Sequence, residues 1–376
     1  MTDLLSNLLL PPSPETQAAL RWMVVDIYTG LVSLSPPTLL LYFALYALVK
    51  QRIRVFGILA WLAAAGYVWS SLSVVLTCSV VRSVQLFAVA VGVMKSLDFF
   101  ARRHNPPQYT ESCPPPDATI ALLYLTELRY ESFTPNYIHK APAPTAVPKP
   151  ENTSTSHRLR NHIRNHKPWL PKPNFSEPAN LLLHTLAFSV LQTRFPQSNS
   201  TVLALQVLLA IYILWETLQL VLRYKSSPPL FGPVYTASSL GTFWSETWHS
   251  AFASPCRSLA YDPLRRCLTS RYAIPTPIAR AVGMITAFAL MGAFHVYAMT
   301  PLLPEQALWR IFAFFVMNGI GTVIEDAIWK RHTHWGKTIL AWVFELAIAS
   351  WTVEGLEIPK GLGEVRVSDV CNIGKG

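Results

Sequence analysis

Along the chain, apolar residues gather in runs of about 20 separated by short polar breaks, the length that crosses a hydrocarbon core of roughly 30 Å. The clearest runs are 201–223, 277–302, 308–328 and 337–356, and the N-terminal stretches 38–49, 55–79 and 80–99 add three or four more. This pattern predicts an all-α, polytopic membrane protein with seven to nine transmembrane helices. Composition agrees: 51% of residues are hydrophobic and only 14% charged, against about 25% charged in soluble domains.

The polar breaks divide the chain into a transmembrane bundle over residues 1–100, a basic loop over 101–178, and a second bundle over 179–376. The loop holds fourteen of the thirty prolines, including "CPPP" and "APAPTAVPKP", a composition that predicts partial disorder. The start, "MTDLLSNLLLPPSPE", has no basic segment ahead of an apolar one, so the first span is expected to act as an uncleaved anchor.

The net charge of +10 is assigned to membrane topology rather than to nucleic acid, because Lys and Arg accumulate in loops kept on the cytoplasmic side. Residues 101–178 carry ten Lys/Arg against six Asp/Glu, and 223–280 carry seven against two. If both face the cytosol, an even number of crossings separates them. The short apolar run 179–195 must then pair with 201–223, as a span or a re-entrant hairpin. The patch "HRLRNHIRNHKPW" at 157–169 is read as a solvated or headgroup-contacting face. Metal binding by His157, His162 and His166 is the alternative, with no carboxylate or cysteine to complete a set.

Five cysteines, an odd number without a CxxC pair, are expected to be reduced thiols. No GxGxxG, Walker A, HExxH or GxSxG motif occurs, which removes the nucleotide-binding, zinc-protease and hydrolase-elbow classes.

Two places carry chemistry. In "GTFWSETWHS" at 241–250, a helix opening near Thr242 would stack Trp244 above Trp248 and Ser245 above His249. That cluster serves either as an interfacial aromatic anchor or as part of a site. His295, in "FALMGAFHVYAMTPL", is expected near the middle of an apolar span, where an ionisable group marks function by default unless a helix neighbour satisfies it. A neutral imidazole in a dry chamber can take the proton of an alcohol attacking a thioester.

The stretch "PPLFGPVYTASSLGTFWSETWHSAF" resembles the signature of the wax synthase-like branch of the membrane-bound O-acyltransferases. The resemblance rests on Pro229, Leu230, Phe231, Gly232, Ser239, Leu240, Phe243, Trp244, Trp248 and His249. Phe288, Gly292 and His295 resemble the family's intramembrane histidine segment. "FFVMNGIGTVIEDAIWKR" at 314–331 is similar to its next helix.

The resemblance implies an acyl-CoA:alcohol O-acyltransferase with His295 as base and His249 near the thioester carbonyl. Phe243, Trp244 and Trp248 would pack the acyl tunnel, and no metal or bound cofactor is expected. Arg257, Arg265 and Arg266 are candidates for the anionic co-substrate or simply topological charges. Glu325 and Asp326 are expected to be structural. The compact chain looks most like fungal acetyltransferases of terpenoid or meroterpenoid alcohols, with acetyl-CoA as co-substrate, a hydrophobic alcohol as acceptor and the endoplasmic reticulum as location. A long-chain wax-ester synthase is the alternative within the family, and a transporter the alternative outside it.

Overall fold

The structure, a computed structural model, describes residues 14–110, 113–128, 130, 132–134, 177–196, 198–222, 231–232, 234–248, 251–329, 334–356 and 371. The helices are α1 (Pro14–Val49), α2 (Ile53–Ser73), α3 (Ser79–Ala101), α4 (Asp117–Thr126), α5 (Glu177–Arg194), α6 (Ser200–Leu222), α7 (Asp262–Ser270), α8 (Thr276–Met299), α9 (Glu305–Trp329) and α10 (Trp335–Glu354). Sheet structure among the described residues is one antiparallel pair, β1 (Gln108–Tyr109) with β2 (Phe133–Thr134). The protein is all-α and polytopic, as its hydropathy predicts.

Six of the described helices, α1, α2, α3, α6, α8 and α9, are long and apolar enough to cross a membrane. The run 179–195, expected as a short span or re-entrant hairpin, and the run 337–356, expected as a crossing, are helical as α5 and α10, with 18 and 20 residues. Neither is among those six, and α10 carries Lys337 and Glu345 in buried positions.

Two cores organise the bundle. The first gathers Leu41, Leu45 and Leu48 of α1, Phe56 of α2, Phe99 of α3 and Tyr124 of α4 with Tyr130 and Phe133. The described residues of the proline-rich loop up to Thr134 therefore dock on the first core. The loop's aromatic residues supply the apolar area that its prolines cannot, and α3 supplies the polar ties. Lys95 Nζ donates to the carbonyls of Tyr124 (2.7 Å) and Glu127 (2.6 Å), and Tyr130 donates to Asp98 Oδ2 at 3.1 Å. Asp98 also accepts from Arg102 and from Ser258, which joins α3 to the segment before α7. The histidine-rich patch 157–169 lies outside the described residues.

The second core contains Met94, Tyr212, Phe231, Phe243, Trp248, Phe252 and Phe294, contributed by α3, α6, α8 and the loop between α6 and α7. It holds the candidate site. The expectation of five reduced thiols is corrected: Cys78 and Cys371 form a disulfide, while Cys113, Cys256 and Cys267 are free. An odd count hid the pair, since one bridge leaves three thiols over.

Candidate active site

The segment 231–248 has little helix of its own and is held by hydrogen bonds to its neighbours. Ser239 caps the short turn Leu240–Thr242: its Oγ accepts from Thr242 N at 3.0 Å, and Thr242 Oγ1 accepts from Ser239 N at 2.9 Å. Thr242, expected to be the cap, is the third residue of this reciprocal box. The Glu325 carboxylate of α9 accepts from the backbone N–H of Leu240 (2.7 Å) and of Gly241 (3.3 Å), and Lys337 Nζ of α10 lies 3.5 Å from it. Thr338 donates to Ser238 O, and Trp342 Nε1 to Ala237 O at 3.2 Å. Glu325 is thus structural, as expected; Asp326, beside it, is exposed.

From Phe243 to Thr247 the chain winds into a π-turn, with Trp248 N donating to Phe243 O at 2.7 Å. The extra residue per turn replaces the expected Trp244–Trp248 stack with Phe243 on Trp248, 5.6 Å between centroids and nearly parallel. Trp244 turns instead toward α8 and α9. Its ring packs edge-on against Phe288 (5.4 Å) and lies 5.9 Å from Phe315, and its Nε1 donates to Asn318 Oδ1 at 3.0 Å. Gly232 closes the loop: its N–H donates to Thr247 O at 2.9 Å, and a Cβ there would stand 2.7 Å from Glu246 O. Phe231 sets its ring edge-on to Trp248, 5.1 Å away. The Phe-Gly step of the motif is what lets this strand lie against the π-turn.

His295 sits in the last turns of α8, nearer the helix end than the middle of the span. Its Nδ1 lies 2.8 Å from Met291 O. A carbonyl only accepts, so Nδ1 carries the proton and Nε2 keeps a free lone pair. No described residue hydrogen-bonds Nε2. The ring stacks on Phe315 at 4.5 Å. That contact requires α9 to approach closely at Gly292, where a Cβ would lie 2.9 Å from Phe312 Cδ2 and 3.2 Å from its carbonyl oxygen.

Phe315 also lines an apolar cavity of about 130 Å³, with Trp244, Phe252, Cys256, Phe288 and Met291. The histidine stands one helical turn beyond Met291, against the cavity's Phe315 wall. Burial first, and the Asp98 carboxylate second, push the Cys256 thiol to about 12, so this cavity residue is a neutral thiol and no nucleophile.

Residues 227–317 match the family model described as membrane bound O-acyl transferase family. A probable long-chain-alcohol O-fatty-acyltransferase 9 of Arabidopsis thaliana is 34% identical over 100 residues, covering 27% of this chain and 29% of its own. The long-chain-alcohol O-fatty-acyltransferase of Simmondsia chinensis is 29% identical over 102 residues, 27% of this chain and 28% of its own. An acyl-CoA–sterol O-acyltransferase 1 of A. thaliana is 26% identical over 133 residues, 35% and 38% of the two chains. The chain spans less than half the length of the curated relatives it matches. No solved structure matches it. The matched stretch contains the tethered loop, α8 and the first half of α9, hence His295 and every residue lining the apolar cavity.

The remaining expected site residues separate. His249 lies outside the described residues; Trp248 and Ala251 on either side of it are both buried in the second core. Arg257, Arg265 and Arg266 converge on Asp262, at 3.3, 3.4 and 3.9 Å. Of the three, Arg266 alone lines a second, polar cavity of about 650 Å³, together with Gln51, Arg102, His104 and Asn105. Sequence reading missed Arg102 and His104, which look like a span's basic stop. It also missed Asn318 and Trp342, whose partners are more than 70 positions away, and His184. That imidazole stacks on Tyr212 at 4.0 Å, and Tyr212 packs on Phe231.

Proposed function

We propose that the protein is a membrane-bound acyl-CoA:alcohol O-acyltransferase in which His295 is the general base. The observation that carries this reading is a histidine whose Nδ1–H is held by a backbone carbonyl, which leaves Nε2 as the basic nitrogen, set against an apolar cavity. Nε2 takes the hydroxyl proton as the alcohol oxygen attacks the thioester carbonyl. The tetrahedral intermediate collapses, the C–S bond breaks, and the imidazolium returns the proton to the thiolate, leaving ester and free CoA. His249 would hydrogen-bond the carbonyl oxygen, and the apolar walls would keep water from consuming the acyl donor.

The polar cavity suits the nucleotide end of CoA. Phe87 of α3 packs on Phe294, next to His295, and Arg102 lies ~22 Å further along the same helix at about 1.5 Å per residue. From sulfur to ribose, CoA has about as many bonds as six residues of main chain, roughly 20 Å when extended. Arg102, His104 and Arg266 would then meet its phosphates. On this reading the 101–178 loop and the α6–α8 connection would face the cytosol, with α5 and α6 as the intervening pair of crossings. The chain would reside in the endoplasmic reticulum.

The apolar cavity, about 130 Å³, is of the order that holds one benzene ring, which suits an acetyl group on the donor. Similarity to a sterol acyltransferase favours a polycyclic hydrophobic alcohol, such as a terpenoid or meroterpenoid of secondary metabolism. The names of the other relatives favour the second reading, a long-chain wax-ester synthase. Microsomes containing wild type or His295→Ala, given labelled acetyl-CoA or palmitoyl-CoA with lipophilic alcohols, separate the two. Acetyl ester lost in the variant supports the first reading and palmitoyl ester alone the second. Ester formation unchanged in His295→Ala would remove the assigned base.

A further inference from the structure

A third cavity, about 800 Å³, is open along the outer face of α2 where that helix meets the end of α3. Its walls are apolar, formed by Gly57, Trp61, Ala65 and Phe100, and its rim carries Arg54 and Arg103. Arg54 is the second residue of α2 and Arg103 the second residue past the end of α3, so both guanidinium groups stand at headgroup depth if these helices cross the bilayer. Neither is ion-paired with a described carboxylate. Arg103 lies over the Phe100 ring at 4.4 Å and donates to Phe100 O, which leaves most of its donors facing the rim. Trp61, 56% exposed, leans on Phe100 at 5.7 Å and forms the side wall. From Arg54 to Ala65 the groove runs ~16 Å along α2, about half of a roughly 30 Å hydrocarbon core, the depth of one leaflet.

We propose that this groove is a specific site for one anionic phospholipid, its phosphate held by Arg54 and Arg103 and one acyl chain lying over Gly57 and Ala65 beneath Trp61. The site is separate from the cavity beside His295. An apolar helix from another protein would cover the walls but leave two guanidinium groups at the membrane boundary without a counter-charge. A zwitterionic lipid has no net negative charge to set against two guanidinium groups. A phosphate-bearing amphiphile with net negative charge satisfies both halves of the groove, as basic pockets between membrane helices do for such headgroups.

The test uses the full-length protein in detergent, titrated with dioleoyl phosphatidylserine or dioleoyl phosphatidylcholine and analysed by native mass spectrometry. Wild type is expected to retain one phosphatidylserine in preference to phosphatidylcholine. Arg54→Gln with Arg103→Gln should weaken phosphatidylserine binding roughly thirtyfold, from about one cation's contribution each, and leave phosphatidylcholine unchanged. Arg54 is exposed, so Arg54→Gln alone should fold normally and show part of the loss. Gly57→Leu, which fills the groove, should weaken both lipids. Equal retention of the two lipids by wild type, or a preference that survives the double substitution, would overturn the proposal. So would displacement of phosphatidylserine by free CoA, which would assign the arginines to the nucleotide.

Discussion

Removing the Glu325 carboxylate should release the loop that carries Trp244. In Glu325→Ala the Leu240 N–H loses a charged acceptor at 2.7 Å, the Gly241 N–H loses a longer one at 3.3 Å, and Lys337 loses its counter-ion at 3.5 Å. All three groups are buried or partly buried. A hydrogen bond to a charged group contributes about 1.5–3 kcal/mol, and leaving one member of a buried ion pair alone costs about 3–5 kcal/mol. The two overlap, so the expected loss is about 3–5 kcal/mol rather than their sum. If the unpaired ammonium is the larger part, Lys337→Met in the same chain should restore about 2 kcal/mol, by removing the charge and keeping the apolar stem. Thermal unfolding of the four proteins (wild type, two single variants and the double) in one detergent measures this. A loss under 1 kcal/mol in Glu325→Ala, or a double variant less stable than that single one, would refute the tether.

Gly292→Leu should cost about 1–3 kcal/mol by overpacking and displace Phe315 from His295; ester formation should fall more than protein level, read in parallel by product assay and immunoblot. Trp244→Phe keeps a six-membered ring but drops the bond to Asn318, about 0.5–1.5 kcal/mol on top of the lost indole packing, so the fall in unfolding temperature should be smaller in an Asn318→Ala background than in wild type. The Cys256 thiol, pushed to about 12, stays protonated below that pH. At pH 8 it is thiolate in only about one part in ten thousand, so maleimide should label exposed Cys113 and Cys267 and spare Cys256, as counted by mass spectrometry.

The helices were legible because twenty consecutive apolar residues leave the backbone few ways to satisfy itself in lipid. The residues of the candidate site were legible as types: the cluster Phe243, Trp244 and Trp248 and the intramembrane His295 stand out, and the family resemblance assigns them a role. Their pairing was not. A stack four residues apart assumes an α-helix, and the π-turn at Phe243–Thr247 changes the spacing to five, which no periodicity in a five-residue stretch can report. The tether from Glu325 to Leu240 crosses 85 positions and leaves no local trace. The sink for Arg257, Arg265 and Arg266 was readable, since Asp262 stands three and four residues before two of them. Arg102 was hidden by its position, because a basic residue at a helix end looks like topology whether or not it lines a cavity.

The Cys78–Cys371 bridge spans 293 residues, and that makes most of the protein a closed covalent ring. A single proteolytic cut anywhere inside it, including the proline-rich stretch, opens the ring without dividing it. The first core, on α1 to α4, and the segment bearing His295 would therefore migrate together on a denaturing gel after nicking and part only when reductant is added. A digest run without reductant would report an intact protein in which the two halves are no longer joined by peptide bonds.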